Sequence, residues 1–197
     1  MPSVRRRRCG VDTYLCLPLC ASDPTDGFTR VSLAAQNLKL QIPYDKSPAD
    51  RYSKVDGVER FWVYTNDKPF KQGSPTRPRT EIRISGYDYT SGVWQFEGNF
   101  YVPQGSSGVI IMQIHGAPTE ATTLQQRVYN GDLKYYGNNV VASNIYDKWL
   151  RLNVIHNVGA GKVTAELTFT SSMGFMVPCL LQVTAWNPGG KRSNFSR

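Results

Sequence analysis

Apolar and polar positions along this chain alternate in short runs, and no long stretch keeps a helical period. Alternation places successive side chains on opposite faces of an extended backbone, so each run reads as a strand with one dry face. The runs rich in Val, Ile, Thr, Tyr, Phe and Trp predict strands at 58–64, 80–84, 93–102, 109–115, 123–129, 133–136 and 149–156. Between the fifth and sixth of these, Asn130-Gly131-Asp132 has the chemistry of a hairpin turn. Asn66-Asp67-Lys68-Pro69 and Gly73-Ser74-Pro75 predict a loop, and Asp23-Pro24-Thr25-Asp26-Gly27 marks a start for the folded part. Short strands at regular intervals predict an all-β sandwich or barrel.

Composition narrows this picture. With 197 residues the chain is long enough for one domain with its own core. No segment carries eighteen consecutive apolar residues, so no membrane span is expected. The formal charge of +8 is uneven: Arg5, Arg6, Arg7 and Arg8 lie at one end and Lys191, Arg192 and Arg197 at the other. The middle is only slightly basic, so the charge does not predict a nucleic-acid partner, and a charged site has to be argued from local residues. Residues 1–21 read as a weak export signal or a disordered basic leader, with an apolar segment interrupted by Pro18. A functional signal would place the protein outside the cell or in a vacuole. Cys16 and Cys20 have metal-ligand spacing, but no second pair accompanies them, so neither a metal nor another cofactor is expected.

Two clusters carry candidate chemistry. In Arg79-Thr80-Glu81-Ile82-Arg83, alternation puts Arg79, Glu81 and Arg83 on one face. Two guanidinium groups around one carboxylate make a net-positive fork suited to a bound carboxylate. The same pattern also describes a solvated ion-pair ladder. In Gln113-Ile114-His115, the amide and imidazole share a face, able to bind a carboxyl group and to take a proton. The alternative there is a structural histidine at a strand end. His156 has no carboxylate nearby in sequence and is read as structural. β-Elimination on a uronate polymer would use Arg79 and Gln113 to neutralise the sugar carboxylate and His115 as base, with a tyrosine as the usual acid.

These residues sit in segments that resemble a known family. Pro75–Ile84, Tyr87–Gly98, Ile111–Ala117, Ala121–Leu124 and Asn144–His156 resemble, in order, the plant citrate-binding branch of the alginate-lyase-like superfamily. The resemblance implies a concanavalin-like β-jelly-roll sandwich of two antiparallel sheets over residues 22–164, with a groove on the concave face. It implies that Arg79 contacts a sugar acid, that Gln113 neutralises its carboxylate and that His115 is the base. Glu81, Arg83 and Tyr135 are expected to line the same groove. The implied partner is an acidic polysaccharide or a citrate-like carboxylate, bound by a monomer. Lyase activity is not implied for every plant member.

The resemblance breaks after Thr164. The family continues with Y-I-D-G, Y-F-K-x-G-x-Y and S-H-x-M-E-S-R-W-K motifs, and none is present. Codons chosen for Phe169–Arg197 can encode Y-F-K-Y-G-F-Y and M-E-S-R-W-K in a shifted frame. Residues 165–197 are therefore read as an out-of-frame tail. The sandwich is expected to be incomplete at its C-terminus, to lack the tyrosine acid and to leave neighbouring strand edges unpaired.

Overall fold

A computed structural model of the chain describes residues 23–116 and 122–170, together with the backbone of two short strands at 181–184 and 194–195. The leader with Cys9, Cys16 and Cys20, and Cys179 in the tail, lie outside the described residues.

The strands in chain order are β1 (Leu38–Gln41), β2 (Tyr52–Val55), β3 (Val58–Phe61), β4 (Glu81–Ile84), β5 (Val93–Tyr101), β6 (Val109–His115), β7 (Thr122–Tyr129), β8 (Asp132–Tyr135), β9 (Asn139–Ala142), β10 (Trp149–Asn157), β11 (Lys162–Phe169), β12 (Leu181–Thr184) and β13 (Asn194–Phe195). A seven-stranded sheet has the order β1-β4-β12-β6-β7-β8-β9, and a four-stranded sheet has the order β13-β11-β10-β5. β2 and β3 form a separate hairpin. Apart from two short 3-10 turns, the regular elements among the described residues are all strands, and the architecture is a β-sandwich of the jelly-roll kind.

One apolar core joins the two sheets. Met112, Ile114, Leu124, Val128 and Leu133 come from the larger sheet, and Phe100, Leu150, Leu152, Val154 and Val163 from the smaller. Ile82 and Ile84 form a second cluster with Leu38 and Leu40, and Phe96 packs against both clusters. A Cβ at Gly98 would lie 2.7 Å from Phe96 Cζ, so the missing side chain makes room for that ring. Asn130 and Gly131 both have positive φ, 52° and 84°, and they close the β7–β8 hairpin that the sequence predicts.

The tail departs from expectation. β4 and β6 are not left as open edges: β12 lies between them and pairs with both in parallel. An extended segment of this kind can satisfy two rows of exposed peptide groups whatever its wider sequence. β13 also pairs in parallel, so the sheets are antiparallel except at these two tail strands. β11 runs past Thr164 to Phe169, with Ala165 and Leu167 against the core.

On the smaller sheet, Arg151 bridges Asp23 and Glu97, with Nη2 2.5 Å from Glu97 Oε2. Gln95 donates to the carbonyl of Pro24, so the Asp23–Pro24 segment is fastened to the outer face of the smaller sheet.

His156 is buried and its Nδ1 lies 2.9 Å from the hydroxyl of Tyr89, whose ring stacks on Trp94. Burial holds the imidazole below its ordinary pKa of 6.5. The folded state then binds this proton less readily than the unfolded chain. Its stability contribution is complete above pH 6.5 and declines as pH falls from there toward the depressed folded value. Chemical denaturation across this range should show stability falling with acid, and His156→Gln should flatten that part of the profile.

Candidate functional site

The face of the seven-stranded sheet that turns away from the core carries the candidate residues. In β4, Ile82 and Ile84 are buried in the core, which leaves Glu81 and Arg83 on the opposite face. In β6, Met112 and Ile114 are buried, which leaves Gln113 and His115 opposite. β12 fixes the alignment, because position 182 is the backbone partner of both Arg83 and Gln113. Arg83 and Gln113 therefore sit in one row on one face, two inter-strand spacings or roughly 10 Å apart. Gln125 of β7 is the next member of the row, and Lys39 of β1 completes it beyond Arg83.

Arg83 is half-buried, and its Nε is buried without a hydrogen-bond partner among the described residues. A buried N–H of a charged group left without an acceptor is costly, and it marks a position that an anion would satisfy.

Arg79 lies four positions before Arg83, ahead of the strand. Its Nη1 donates to Glu81 Oε1 at 3.2 Å. The local chain is well anchored. Thr80 donates its hydroxyl to the carbonyl of Trp62 at 2.8 Å. Arg51 grips Asp67 with Nε and Nη2, at 2.8 and 2.5 Å, and the aspartate holds the backbone N–H of Tyr64. The Arg51 guanidinium keeps the Asp67 carboxyl below its usual range. This clamp sets the loop that carries Trp62 to Thr80, and so the start of β4.

Glu81 is 9% exposed, so the Arg79–Glu81 pair is not a solvated surface ladder. Burial pushes the Glu81 carboxyl above its ordinary value, and the nearby Arg79 only partly opposes this.

His115 is half-buried at the end of β6, opposite Thr122 of β7 and position 184 of β12. It shares its face with Gln113 but lies one row further along the strands. Tyr135 is not brought to this face. It follows the alternation of Leu133, pairs with Gln126 and packs against the core, where burial raises its hydroxyl pKa. Tyr136, at positive φ, donates its hydroxyl to the carbonyl of Thr122 at 2.7 Å. Residues on the same sheet face that local sequence did not single out are Lys39, Gln125, Arg127 and Lys134. Alternation in the 123–129 run, with Leu124 and Val128 apolar, was the available signal for two of them. Among the described residues no cluster of His, Cys, Asp and Glu could hold a metal ion.

The arrangement is a sheet face with cations in several strands, amide side chains between them, and the carboxyls of Glu81, which is buried, and Asp132. The family model for alginate lyase matches residues 31–174. The chain is also 65% identical over 145 residues to a citrate-binding protein of Hevea brasiliensis, covering 74% of this chain. It spans 61% of the length of that relative. No solved structure matches the chain significantly.

Replacing Glu81 by Gln tests the electrostatics. Because the folded pKa is raised, the unfolded chain ionises first as pH rises, and the native state loses stability above the ordinary value of 4.5. Glu81→Gln should therefore be at least as stable as the parent at pH 7 by denaturant midpoint. The difference between the two should shrink as pH falls toward 4.

Proposed function

Because this chain belongs to the alginate lyase family, we propose that its groove face binds carboxylates, either a citrate-like small acid or the uronate groups of an acidic polysaccharide. The observation that carries this reading is the row of Arg83, Gln113 and Gln125 on one sheet face, with a buried Arg83 N–H that has no acceptor among the described residues. A carboxylate seated there would accept from the guanidinium and from an amide, the charge-assisted pairing that is strongest for this type of ligand. Arg79 reinforces the positive potential, and Glu81 shapes it from a buried position. The Hevea relative, named for citrate binding, supports the small-acid form of the reading.

A second reading, β-elimination on a uronate polymer, is favoured by His115 sharing the Gln113 face. Arg79 and Gln113 would neutralise the sugar carboxylate and His115 would take the C5 proton. The electron pair of that C–H bond would form the C4–C5 double bond as the C4–O bond breaks, and the leaving oxygen would need a proton from an acid. The Y-F-K-x-G-x-Y motif that the resemblance leads one to expect is missing from the sequence. This supports binding without efficient cleavage.

Calorimetric titration of the full chain with citrate and with glucuronan oligomers should give saturable binding of at least one. Arg83→Ala or Gln113→Ala should weaken it by roughly tenfold. Absence of binding to either ligand would overturn the proposal. Incubation with glucuronan or alginate should produce no appreciable ultraviolet-absorbing unsaturated product. Rapid product formation that is lost in His115→Ala would establish the second reading instead.

A further inference from the structure

We infer that Arg127 forms a second carboxylate-binding position in the groove, on the opposite side of Gln113 from Arg83, and that Lys134 on the neighbouring strand adds to it. This rests on the proposed carboxylate-binding reading.

The placement follows from register and alternation. Leu124, Gln126 and Val128 of β7 are buried on the core side, so Gln125 and Arg127 lie on the groove side. Gln125 is the direct cross-strand partner of Gln113. Arg127 is two positions further along β7 and pairs with Lys134 of β8, whose neighbour Leu133 is fully buried. In the sheet order, Arg83 is two strands from β6 on one side and Arg127 is one strand from it on the other. Gln113 therefore stands between two cations on one face.

Arg127 is held in place. Its Nε and Nη2 both donate to Gln125 Oε1, at 2.9 and 2.5 Å, and its Nη1 lies 3.4 Å from the Tyr129 hydroxyl. An arginine bound only to neutral partners keeps its full charge, and guanidinium N–H groups remain for a further acceptor. Among the described residues, no carboxylate forms an ion pair with Arg127 or Lys134. The nearest acid along β8 is Asp132, on the same face but paired with Tyr129 in the next row. Ordering a long side chain costs entropy, and here the fork is already ordered before a ligand arrives.

The spread of the cations indicates what the position recognises. From β1, which carries Lys39, to β8, which carries Lys134 one row further along, the face crosses five inter-strand spacings, about 24 Å. A single carboxylate at Arg83 and Gln113 leaves the β7–β8 end untouched. A ligand with carboxylates on successive linked units can use both ends together. Arg127 is thus a determinant of ligand length rather than of carboxylate binding as such.

The test compares free glucuronate with a glucuronate oligomer, by calorimetry on the full chain and on Arg127→Gln and Lys134→Gln. The expected result is that Arg127→Gln weakens the oligomer by roughly tenfold or more and changes glucuronate by less than twofold. Lys134→Gln should act in the same direction and more weakly, and it provides a variant that removes none of the contacts holding Gln125. Equal losses for both ligands would overturn the inference, because Arg127 would then belong to the Gln113 position. Unchanged oligomer affinity in both variants would overturn it while leaving the carboxylate-binding reading intact. Failure of the parent chain to bind either ligand, with citrate binding also absent, would remove both.

Discussion

Met112, Ile114, Leu124, Val128 and Leu133 press one face of the seven-stranded sheet against Phe100, Leu150, Leu152 and Val154 of the smaller sheet. Removing these side chains from water is the main favourable term available to a fold of this kind. Because the side-chain period of a strand is two, the dry face fixes the wet one. A slip of one residue in β6 would send Gln113 and His115 into the core and Ile114 into solvent. The site is thus a by-product of core packing: its residues face outward because their neighbours cannot.

The same constraint explains the role of β12. β4 and β6 carry the two candidate motifs, and both present backbone groups to the gap between them. A strand in that gap satisfies those groups and sets the register of Arg83 against Gln113. The polar positions of the site are therefore held by main-chain hydrogen bonding that their own side chains do not provide. Arg51 and Asp67 act in a similar way at the other end of β4, since their bidentate pair fixes the loop that leads to Arg79.

On this sheet face the cations are only partly paired. Glu81 is buried beside Arg79, whereas Arg83, Arg127 and Lys134 have no carboxylate in ion-pair contact among the described residues. The opposite side of the molecule is arranged differently. There Asp23, Glu97 and Arg151 are paired, and they fasten the segment at Asp23 to the smaller sheet. The contrast separates a face with unspent positive charge from one whose charges serve the fold.

The sequence by itself determined the strand-rich class, the β7–β8 turn at Asn130-Gly131 and the shared faces of Glu81 and Arg83 and of Gln113 and His115. Each of these depends on local alternation or turn chemistry, which a single chain displays directly. It also carried a hairpin signal at Asp56-Gly57 that went unread, where both residues adopt positive φ. Tertiary structure decided which motif residues meet. Strand order and register are long-range, so nothing near Arg83 in sequence announces that it, and not Arg79, stands in the row of Gln113. Tyr135 shows the same limit: its face follows from the burial of Leu133 against the opposite sheet. The tail shows it most clearly. Its sequence predicted open edges, yet an extended segment of four residues lies in the gap, because backbone pairing asks for little else.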